Sequence, residues 1–287
     1  MSLKAQGLTQ KKSLSEKYRE LQAVMRSYKR VVIGFSGGVD STLLAKVAFD
    51  ELCDGALAVI GRSASYPGRE EEQAVSLAKS IGIAYQVLDT GEMAVGEYLE
   101  NKGDRCYYCK KELYRLLSKV KEESNFNEVL DGTNLSDLGD HRPGLKATEE
   151  LGIRKPLLEI GFTKEDVRAL ARELSLSNWD KPEFACLSSR IPVGLSISTE
   201  ALSRVEQGEQ KLYDLGFRQF RLRYHGNIAR IQLLDKDFQQ IIDPAVRSAL
   251  IHSLTELGFD HVTLDLLSYQ RGNKPVQAGQ MPSDKDI

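Results

Sequence analysis

The chain has little of what several classes of protein require. Within its 287 residues no apolar run approaches the length of a membrane span, so no membrane association is expected. The polar start, residues 1–17, lacks the apolar core of a secretory signal. Cysteine is scarce, with four residues. We therefore expect a cytoplasmic protein in a reducing compartment, without a disulfide framework.

A surplus of charge is also missing. The 39 basic and 41 acidic residues leave a formal net charge of −2. A protein built to hold long nucleic acid usually carries a basic surplus, so this balance argues against such a partner. The chain has no internal repeat, and its four histidines show no ligand spacing. Its length suits one large domain or two ordinary ones.

One stretch near the N-terminus combines a strand pattern with a run of small residues. Val31–Phe35 is apolar and β-branched, Ser36-Gly37-Gly38 follows, and Asp40-Ser41 opens an apolar-periodic run typical of a helix. A strand, a glycine turn and a helix N-terminus together form a cradle for anions, because backbone N–H groups and the helix dipole point into the turn. Glycine lets the backbone approach a phosphate closely.

This stretch is neither of two common phosphate-binding motifs. No Gly-Lys-Ser/Thr follows, and the Gly-x-Gly-x-x-Gly spacing is absent. Ser-Gly-Gly-x-Asp-Ser resembles instead the pyrophosphate loop, or PP-loop, of the ATP pyrophosphatase superfamily, which includes NAD synthetases, GMP synthetases and tRNA-thiolating enzymes. The resemblance implies cleavage of ATP between the α and β phosphates. Asp40 either shares a Mg²⁺ with the pyrophosphate or only caps the helix.

Strands alternate with helices up to about residue 175, which predicts an α/β fold with a doubly wound parallel sheet. The predicted strands are 31–35, 56–60, 84–88, 128–131 and 154–158. The predicted helices are 14–28, the one after the PP-loop, 69–81, 92–101, 105–123, 143–151 and 163–174. The last begins with Thr163-Lys-Glu-Asp166, which predicts a capping box. Ligands bind such sheets beyond the carboxyl ends of the strands, so Ser63 and the turn 131–134 should face the loop. The predicted ATP-binding residues are Gly34, Ser36, Gly37, Gly38, Asp40, Ser41, Ser63 and Gly132.

The pattern changes after Asn178. A stretch with two prolines and no period predicts a functional loop and linker. Beyond it, helices at 199–215 and 243–257 and strands at 217–224, 228–234 and 261–267 predict a smaller C-terminal α+β domain with a hairpin around 225–227. Such a domain is a suitable assembly surface, so we expect a homo-oligomer. The predicted organisation is a disordered N-terminus (1–14), a PP-loop ATP-binding domain (15–178), a functional loop and linker (179–197), a small α+β substrate and assembly domain (198–270) and a flexible tail (271–287).

Three cysteines form a pair and a remote third. Cys106-Tyr-Tyr-Cys109 opens a helix, and Cys186 lies in the later loop. The pair could be a redox motif, half a zinc site or part of an iron–sulfur site. No second CxxC completes a zinc site, and a thioredoxin-like motif should directly follow a strand. Three thiols fit a [4Fe-4S] cluster whose open iron could deliver sulfide, although unrelated thiols remain an alternative. We interpret Cys53, at a helix end, as a small buried hydrophobe.

Several other polar residues allow two interpretations each. Arg221 and Arg223 alternate along a predicted strand, where they could grip a phosphate through forked hydrogen bonds or form a solvated edge. Ser188-Ser189-Arg190 could bind an anion or be a polar loop. Lys110 and Lys111 are interpreted as helix-surface residues.

Four segments together resemble the LarE family of ATP-dependent sulfur-inserting enzymes in nickel-pincer nucleotide cofactor synthesis. They are Ser36–Ser41, Asp140–Ala147, Ser188–Gly194 and Arg221–His225, and the resemblance covers most of residues 20–270. It implies that ATP adenylates a carboxylate of a pyridinium dicarboxylate mononucleotide, that sulfur displaces AMP, and that a second carboxylate follows. One branch of the family uses a single sacrificial cysteine. The other holds a [4Fe-4S] cluster on three cysteines, which Cys106, Cys109 and Cys186 match.

The resemblance also implies which residues form the sites. Cys186, Cys106, Cys109 and Asp40 would be catalytic, with the three cysteines holding the cluster and Asp40 the Mg²⁺. The residues implied around the substrate phosphate or a bound metal are Ser189, Arg190, Glu209, Arg221 and Arg223. Gln232 stands where the family pattern suggests a glutamate, which weakens a carboxylate-rich metal site there. An unknown sulfur donor is a further expected partner.

Two other functions stay open from the sequence. A PP-loop tRNA-thiolating enzyme could use a similar cluster, and it should show a basic face and salt-sensitive RNA binding. A non-catalytic nucleotide-binding protein should bind ATP without releasing pyrophosphate.

Overall fold

The computed structural model describes residues 12–139, 143–182 and 185–269. These residues belong to two compact units, the first ending at Cys186 and the second beginning at Leu187. None of the helices in the described ranges is long and apolar enough to cross a membrane.

The first unit is built on a parallel sheet. Its described strands are β1 (Val31–Gly34), β2 (Ala56–Arg62), β3 (Ala84–Asp89) and β4 (Glu128–Leu130). Its described helices are α1 (Leu14–Tyr28), α2 (Val39–Leu52), α3 (Gly68–Ile81), α4 (Gly96–Glu100), α5 (Arg105–Glu123), α6 (Pro143–Glu150), α7 (Pro156–Ile160) and α8 (Lys164–Glu173). The strand order is β3-β2-β1-β4 and every pairing is parallel, which confirms the predicted sheet type.

Helices cover both faces of this sheet. On one face Val31 and Ile33 pack in a cluster with residues of α1, α2 and α3. On the other face Val32 packs with Tyr114 and Leu117 of α5. Burial on both faces explains why β1 reads as a continuous apolar run rather than an alternating one. The PP-loop follows the carboxyl end of β1, so it lies at the edge of the sheet formed by the carboxyl ends of the strands.

The predicted fifth strand, 154–158, is wrong. Arg154 makes only an isolated parallel bridge with Leu130, and the next residues form α7. Pro156 explains the difference, because proline lacks the N–H that a strand ladder needs but suits the first turn of a helix. The predicted helix 92–101 is also interrupted. A 3₁₀ turn, Glu92–Ala94, precedes α4, and Val95 between them is extended.

Two capping boxes fix the starts of α1 and α8. Ser13 and Glu16 exchange side-chain and backbone hydrogen bonds at α1. Thr163 and Asp166 do the same at α8, as the sequence predicted. Residues 1–11 of the predicted disordered segment lie outside the described residues, while Ser13 and its neighbour already belong to the start of α1.

The second unit contains the predicted helices and strands in their predicted order, together with one short helix, Phe238–Ile242, that was not predicted. Its described elements are a 3₁₀ turn (Leu187–Arg190), α9 (Thr199–Asp214), β5 (Phe220–His225), β6 (Ile228–Leu233), α10 (Phe238–Ile242), α11 (Pro244–Glu256) and β7 (His261–Leu264). The hairpin prediction is confirmed, since β5 and β6 pair antiparallel. β7 pairs parallel to β6 and completes the sheet order β5-β6-β7. The predicted flexible tail, 271–287, lies outside the described residues.

Candidate functional site

The PP-loop holds a conformation that depends on glycine at one position. Gly37 has φ +62°, and a Cβ there would lie 3.0 Å from the Cα and Cβ of Ala74. Ser41 braces the loop, because its hydroxyl donates to Gly38 O at 3.1 Å and accepts from the Ser36 N–H at 3.3 Å. Gly38 is the N-cap of α2 and places no side chain over the first N–H groups of the helix. This end of α2 can therefore receive an anion.

Asp40 does not cap α2, since that position belongs to Gly38. Its carboxylate accepts a hydrogen bond from Asn134 Nδ2 at 3.0 Å and pairs with Lys164 Nζ at 2.6 Å. Mg²⁺ in nucleotide sites is commonly bound through one or two carboxylates together with substrate phosphates. The Asp40 carboxylate beside an anion cradle fits such a shared ion.

The turn after β4 packs against the start of α2. Asp131 binds Lys110 Nζ at 2.8 Å and accepts further hydrogen bonds from Tyr114 and Thr133. Burial alone would raise the pKa of Asp131, but Lys110 and these hydrogen bonds outweigh it and hold that pKa well below its usual range. A Cβ on Gly132 would lie 3.0 Å from the Ser41 backbone nitrogen, so the turn touches the PP-loop directly.

Ser63 follows β2, at the same edge of the sheet. Its hydroxyl lies 2.9 Å from Ser65 Oγ and accepts from the Ser65 N–H. Ser65 in turn donates to Glu92, a carboxylate that is 1 % exposed. Ser63 therefore belongs to a hydrogen-bonded turn that ends on a buried acid.

The structure brings the three predicted cluster cysteines into one neighbourhood. Cys106 and Cys109 lie in the first turn of α5, and all four cysteines of the chain are thiols rather than disulfides. Burial raises the pKa of the Cys109 thiol, and the nearby charges of Glu92, Cys186 and Cys106 raise it further. Cys186 is thus close enough to Cys109 to affect the pKa of its thiol.

This pair lies beside the ATP loop. Lys110 follows Cys109 directly and reaches Asp131, whose neighbour Gly132 touches Ser41. The contact series joins the N-terminal turn of α5 to the start of α2 within the first unit. The PP-loop and the CxxC motif on α5 therefore lie at the same end of the parallel strands.

The three cysteines are the right type of ligand for an iron–sulfur cluster, and the cluster itself stays a prediction. In the described ranges no three His, Cys, Asp or Glu side chains converge as ligands of one metal ion. Cysteines that bind a cubane cluster each ligate a different iron, so their sulfur atoms need not converge on one point. Three neighbouring thiols from two separate segments are the ligand type that iron–sulfur clusters use.

A cavity of about 610 Å³ opens beside the CxxC motif. Tyr107 and Tyr108, the residues between the two cysteines, line it together with Lys102 and Lys146. Tyrosine rings offer faces for a flat cation, and lysine ammonium groups offer partners for carboxylates.

In the second unit, Arg190 and Glu209 bind each other. The Arg190 guanidinium is 0 % exposed, and its Nε and Nη2 donate to the two Glu209 oxygens at 2.8 and 2.9 Å. Glu209 also accepts the Leu222 N–H at 3.1 Å. The forked pair ties the 3₁₀ turn to α9 and β5. A role for either residue in substrate binding stays a prediction.

Arg223 lies at the centre of a polar network. It donates to the Ser189 carbonyl at 2.7 Å and to Gln232 Oε1 at 2.8 Å. Burial lowers the pKa of Arg223, and the charges of Arg190, Arg221 and Arg230 lower it further. Such crowding of like charges favours an anion nearby.

Arg221 and Gln232 make the outer contacts of the same region. Arg221 donates to the Phe220 carbonyl at 2.7 Å, and its guanidinium lies 4.9 Å from the centre of the Tyr269 ring. Gln232 donates to Asp265 Oδ2 at 2.9 Å. The amide of Gln232 thus bridges an arginine and a carboxylate where a glutamate had been expected.

Two interpretations from the sequence are wrong. Cys53 is exposed rather than buried, because it terminates α2 with φ +48° and turns away from the apolar face of that helix. Lys110 is not a simple surface residue, because it is paired with Asp131. Residues 140–142 of the segment Asp140–Ala147 lie outside the described residues, and Pro143 begins α6.

The sequence interpretation placed the turn 131–134, and with it Asp131, at this edge. It missed Lys110, Lys164 and Asn178, whose side-chain amide donates to the Gly37 carbonyl. One signal was present for Lys110, since it precedes Tyr114 by four residues and therefore shares a helix face with it. No local pattern marks Lys164 as the partner of Asp40, because 124 positions separate them.

Comparison with known proteins agrees with this geometry. The family model of NAD synthase matches residues 11–104, which include the PP-loop. An uncharacterized protein of Synechocystis is 42 % identical over 90 % of this chain and 97 % of its own length. Pyridinium-3,5-bisthiocarboxylic acid mononucleotide synthase of Lactiplantibacillus plantarum is 38 % identical over 91 % of this chain and 94 % of its own. An uncharacterized protein of Methanocaldococcus jannaschii is 30 % identical over 91 % of this chain and 95 % of its own.

These matches extend through both units, well beyond the PP-loop region that the wider superfamily shares. The chain therefore belongs to the LarE family, the ATP-using, sulfur-inserting enzymes of the PP-loop superfamily.

Proposed function

We propose that this protein adenylates a carboxylate of a pyridinium dicarboxylate mononucleotide and replaces the AMP with sulfur. The observation that carries the proposal is the 38 % identity to the bisthiocarboxylic acid mononucleotide synthase over 91 % of the chain. The proximity of the PP-loop to the CxxC motif supports it, because activation and sulfur transfer must act on the same carbonyl carbon.

The PP-loop residues would perform the activation step. The N–H groups around Gly38 and the first turn of α2 would hold the pyrophosphate portion of ATP, leaving the α-phosphorus open to a carboxylate oxygen. A Mg²⁺ shared with Asp40 would screen the triphosphate. Lys164, which pairs with Asp40, would add a positive charge beside the phosphates. Pyrophosphate leaves, and the acceptor carries AMP.

The three thiols would serve the second step. A carboxylate oxygen leaves poorly and AMP leaves well, so an acyl adenylate needs only a sulfur nucleophile. A [4Fe-4S] cluster held by Cys106, Cys109 and Cys186 would supply sulfide from its open iron. Of these thiols, Cys106 is exposed, and Cys109 and Cys186 are half-buried. The product is a thiocarboxylate. Both steps, adenylation and sulfur transfer, would then repeat at the second carboxylate.

Substrate groups have candidate partners in each unit taken separately. The cavity beside Tyr107 and Lys146 suits a pyridinium ring that carries carboxylates. In the second unit, the crowded guanidinium groups of Arg221 and Arg223 suit a phosphate. The source of the sulfur and association into homo-oligomers stay predictions that belong to this proposal.

Pyrophosphate release tests the first step. We expect release from ATP to require the pyridinium dicarboxylate mononucleotide, and Asp40→Asn to abolish turnover while the protein stays folded. Asp50→Asn, on the exposed side of α2, is a matched control that should leave release unchanged. Release stimulated by tRNA instead would favour tRNA thiolation. ATP binding without any release would favour a non-catalytic nucleotide-binding protein.

Anaerobic reconstitution tests the second step. We expect iron, acid-labile sulfide and a visible absorption band in the wild-type protein, and their loss in Cys106→Ser, Cys109→Ser and Cys186→Ser. Cys53→Ser should retain the band, because Cys53 is exposed and is no part of the predicted ligand set. A wild-type protein without iron after reconstitution would remove the cluster from the proposal. Full sulfur transfer by Cys186→Ser would exclude Cys186 from the proposed sulfur-transfer step.

A further inference from the structure

A buried amide lies directly behind the phosphate loop. Asn178 follows α8 by five residues and is 7 % exposed. Its Nδ2 donates to the Gly37 carbonyl at 3.1 Å and to Thr42 Oγ1 at 3.0 Å. These two contacts join the segment after α8 to the loop itself and to the first turn of α2.

The contact with Gly37 fixes the direction of one peptide group. In a planar trans peptide the C=O and the following N–H point in opposite directions. With the Gly37 carbonyl held toward Asn178, the Gly38 N–H must point away from it, toward the open side of the loop. That N–H makes only a long hydrogen bond, 3.4 Å, to Ser36 Oγ, a contact that a phosphate oxygen can replace.

Gly37 needs such a support because its conformation is otherwise free. Glycine populates positive and negative φ about equally, so φ +62° at Gly37 is allowed but is not imposed by the residue itself. On its other side the loop meets Ala74 of α3. Lys181 binds Glu70 and Gln73 of the same helix at 2.8 and 2.9 Å, which holds the segment that carries Asn178.

One atom of the Asn178 amide lacks a hydrogen-bond partner. Asn178 Oδ1 is buried without a hydrogen-bond partner among the described residues. Leaving a buried acceptor unsatisfied disfavours folding, and an apolar side chain of the same shape would avoid it. The donor half of the amide is therefore the part that the site uses.

We infer that Asn178 is a positioning residue of the PP-loop, which holds the Gly37 carbonyl so that the Gly38 N–H faces the pyrophosphate of ATP. It acts through the backbone and does not touch the nucleotide. The inference rests on the proposed use of the loop for ATP and adds a residue outside the Ser-Gly-Gly-x-Asp-Ser motif.

The test is Asn178→Leu, which keeps the shape of the side chain and removes its donor without adding charge. Calorimetric titration of the full-length protein would use a non-hydrolysable ATP analogue, inorganic pyrophosphate and adenosine. We expect about tenfold weaker binding of the analogue and of pyrophosphate, with adenosine affinity within about twofold of wild type. Asn127→Leu, at an exposed position, is the matched control and should bind all three ligands normally.

Each outcome decides the inference. Unchanged pyrophosphate affinity in folded Asn178→Leu overturns it, and so does an equal loss for adenosine, which marks general damage. If the wild-type protein binds no ATP analogue, the proposed function fails, and the inference that rests on it fails too. If Asn178→Leu does not fold, Thr42→Val tests the same positioning of the Asn178 amide, since Thr42 is its second hydrogen-bond partner. For Thr42→Val we expect about threefold weaker binding of pyrophosphate and unchanged binding of adenosine. Unchanged pyrophosphate affinity in this variant would overturn the inference.

Discussion

At the scale of single residues, Asp131 is a buried carboxylate with several partners near the candidate site. Its two oxygens contact Lys110, Tyr114 and Thr133 at the carboxyl end of β4. Removing one partner of such a group leaves the others unsatisfied, which disfavours folding more than the lost contact alone. Asp131 therefore supports the junction between α5, which carries the CxxC motif, and the PP-loop.

Asp131→Asn should lower the free energy of unfolding by about 2–3 kcal/mol near neutral pH, because Lys110 loses its ionic partner. The sign of the pH dependence follows from the depressed pKa of Asp131. A carboxyl whose folded pKa lies below its unfolded value, about 3.9, contributes stability above that value and loses it as the pH falls. The difference between wild type and variant should therefore stay constant near neutrality and shrink below about pH 4. Urea unfolding followed by circular dichroism at several pH values measures it.

Asp89→Asn is the control for this prediction. Asp89 is 79 % exposed and pairs with Arg62 on the surface, where solvent screens the interaction. We expect no measurable loss of stability. A difference for Asp131→Asn that grows toward acid pH would contradict the assigned direction of its pKa.

The residues of the site were only partly predictable, for a physical reason. The PP-loop is a local motif, so its glycines and Asp40 could be named from adjacent positions. Asn178 meets Gly37 across 141 positions, and its role depends on how the chain returns to the loop after α8. Arg190 was interpreted as a donor to an anion or as part of a polar loop, whereas tertiary packing turns it inward onto Glu209. Contacts between distant positions leave no periodic trace in a single sequence.

At the scale of whole elements, α8 combines a predicted cap with a contact that was not predicted. The Thr163–Asp166 capping box also receives Lys17, whose Nζ donates to Asp166 Oδ2 and to the Gly161 carbonyl, each at 2.6 Å. Burial alone would raise the pKa of Asp166, but Lys17 and Thr163 outweigh it and lower that pKa. The cap thus ties α1 to the start of the helix that supplies Lys164.

Thr163→Ala should lower the free energy of unfolding by about 1 kcal/mol, because an N-cap hydroxyl satisfies a backbone N–H that no other group reaches. Thr255→Ala, at an exposed position inside α11, should change stability by less than about 0.5 kcal/mol. Thermal and urea unfolding of the two variants give the comparison. Equal effects would show that the cap contributes no more than helix propensity does.

Elements with strong periodicity were predicted well, and one short segment was not. The helix at 14–28 and the hairpin in the second unit agree with prediction. Residues 154–158 contain only two aliphatic side chains, Leu157 and Leu158, and so short a segment cannot be assigned to strand or helix by period alone. Pro156 decided that case in favour of helix.

At the scale of the whole molecule, charge separates the proposed function from tRNA thiolation. Nucleic-acid affinity depends on how many phosphates a protein neutralises, and that dependence appears as a steep loss of binding with added salt. The chain has 39 basic and 41 acidic residues, so its formal net charge is −2. Many of those basic residues are paired with carboxylates, among them Lys110, Lys164 and Arg190. The chain therefore carries no basic surplus of the kind that a long nucleic acid requires.

We therefore expect tRNA to bind no more tightly than an unrelated RNA of the same length, with dissociation constants weaker than about 1 μM at physiological salt. Fluorescence anisotropy at two salt concentrations measures both the affinity and its salt dependence. Pyrophosphate release driven by the pyridinium mononucleotide should continue at full rate in the presence of tRNA, because the two would not compete for one site. Tight, salt-sensitive binding of tRNA that also inhibits this release would place an RNA on the site, and would reverse the assignment of the acceptor from a free nucleotide to an RNA base.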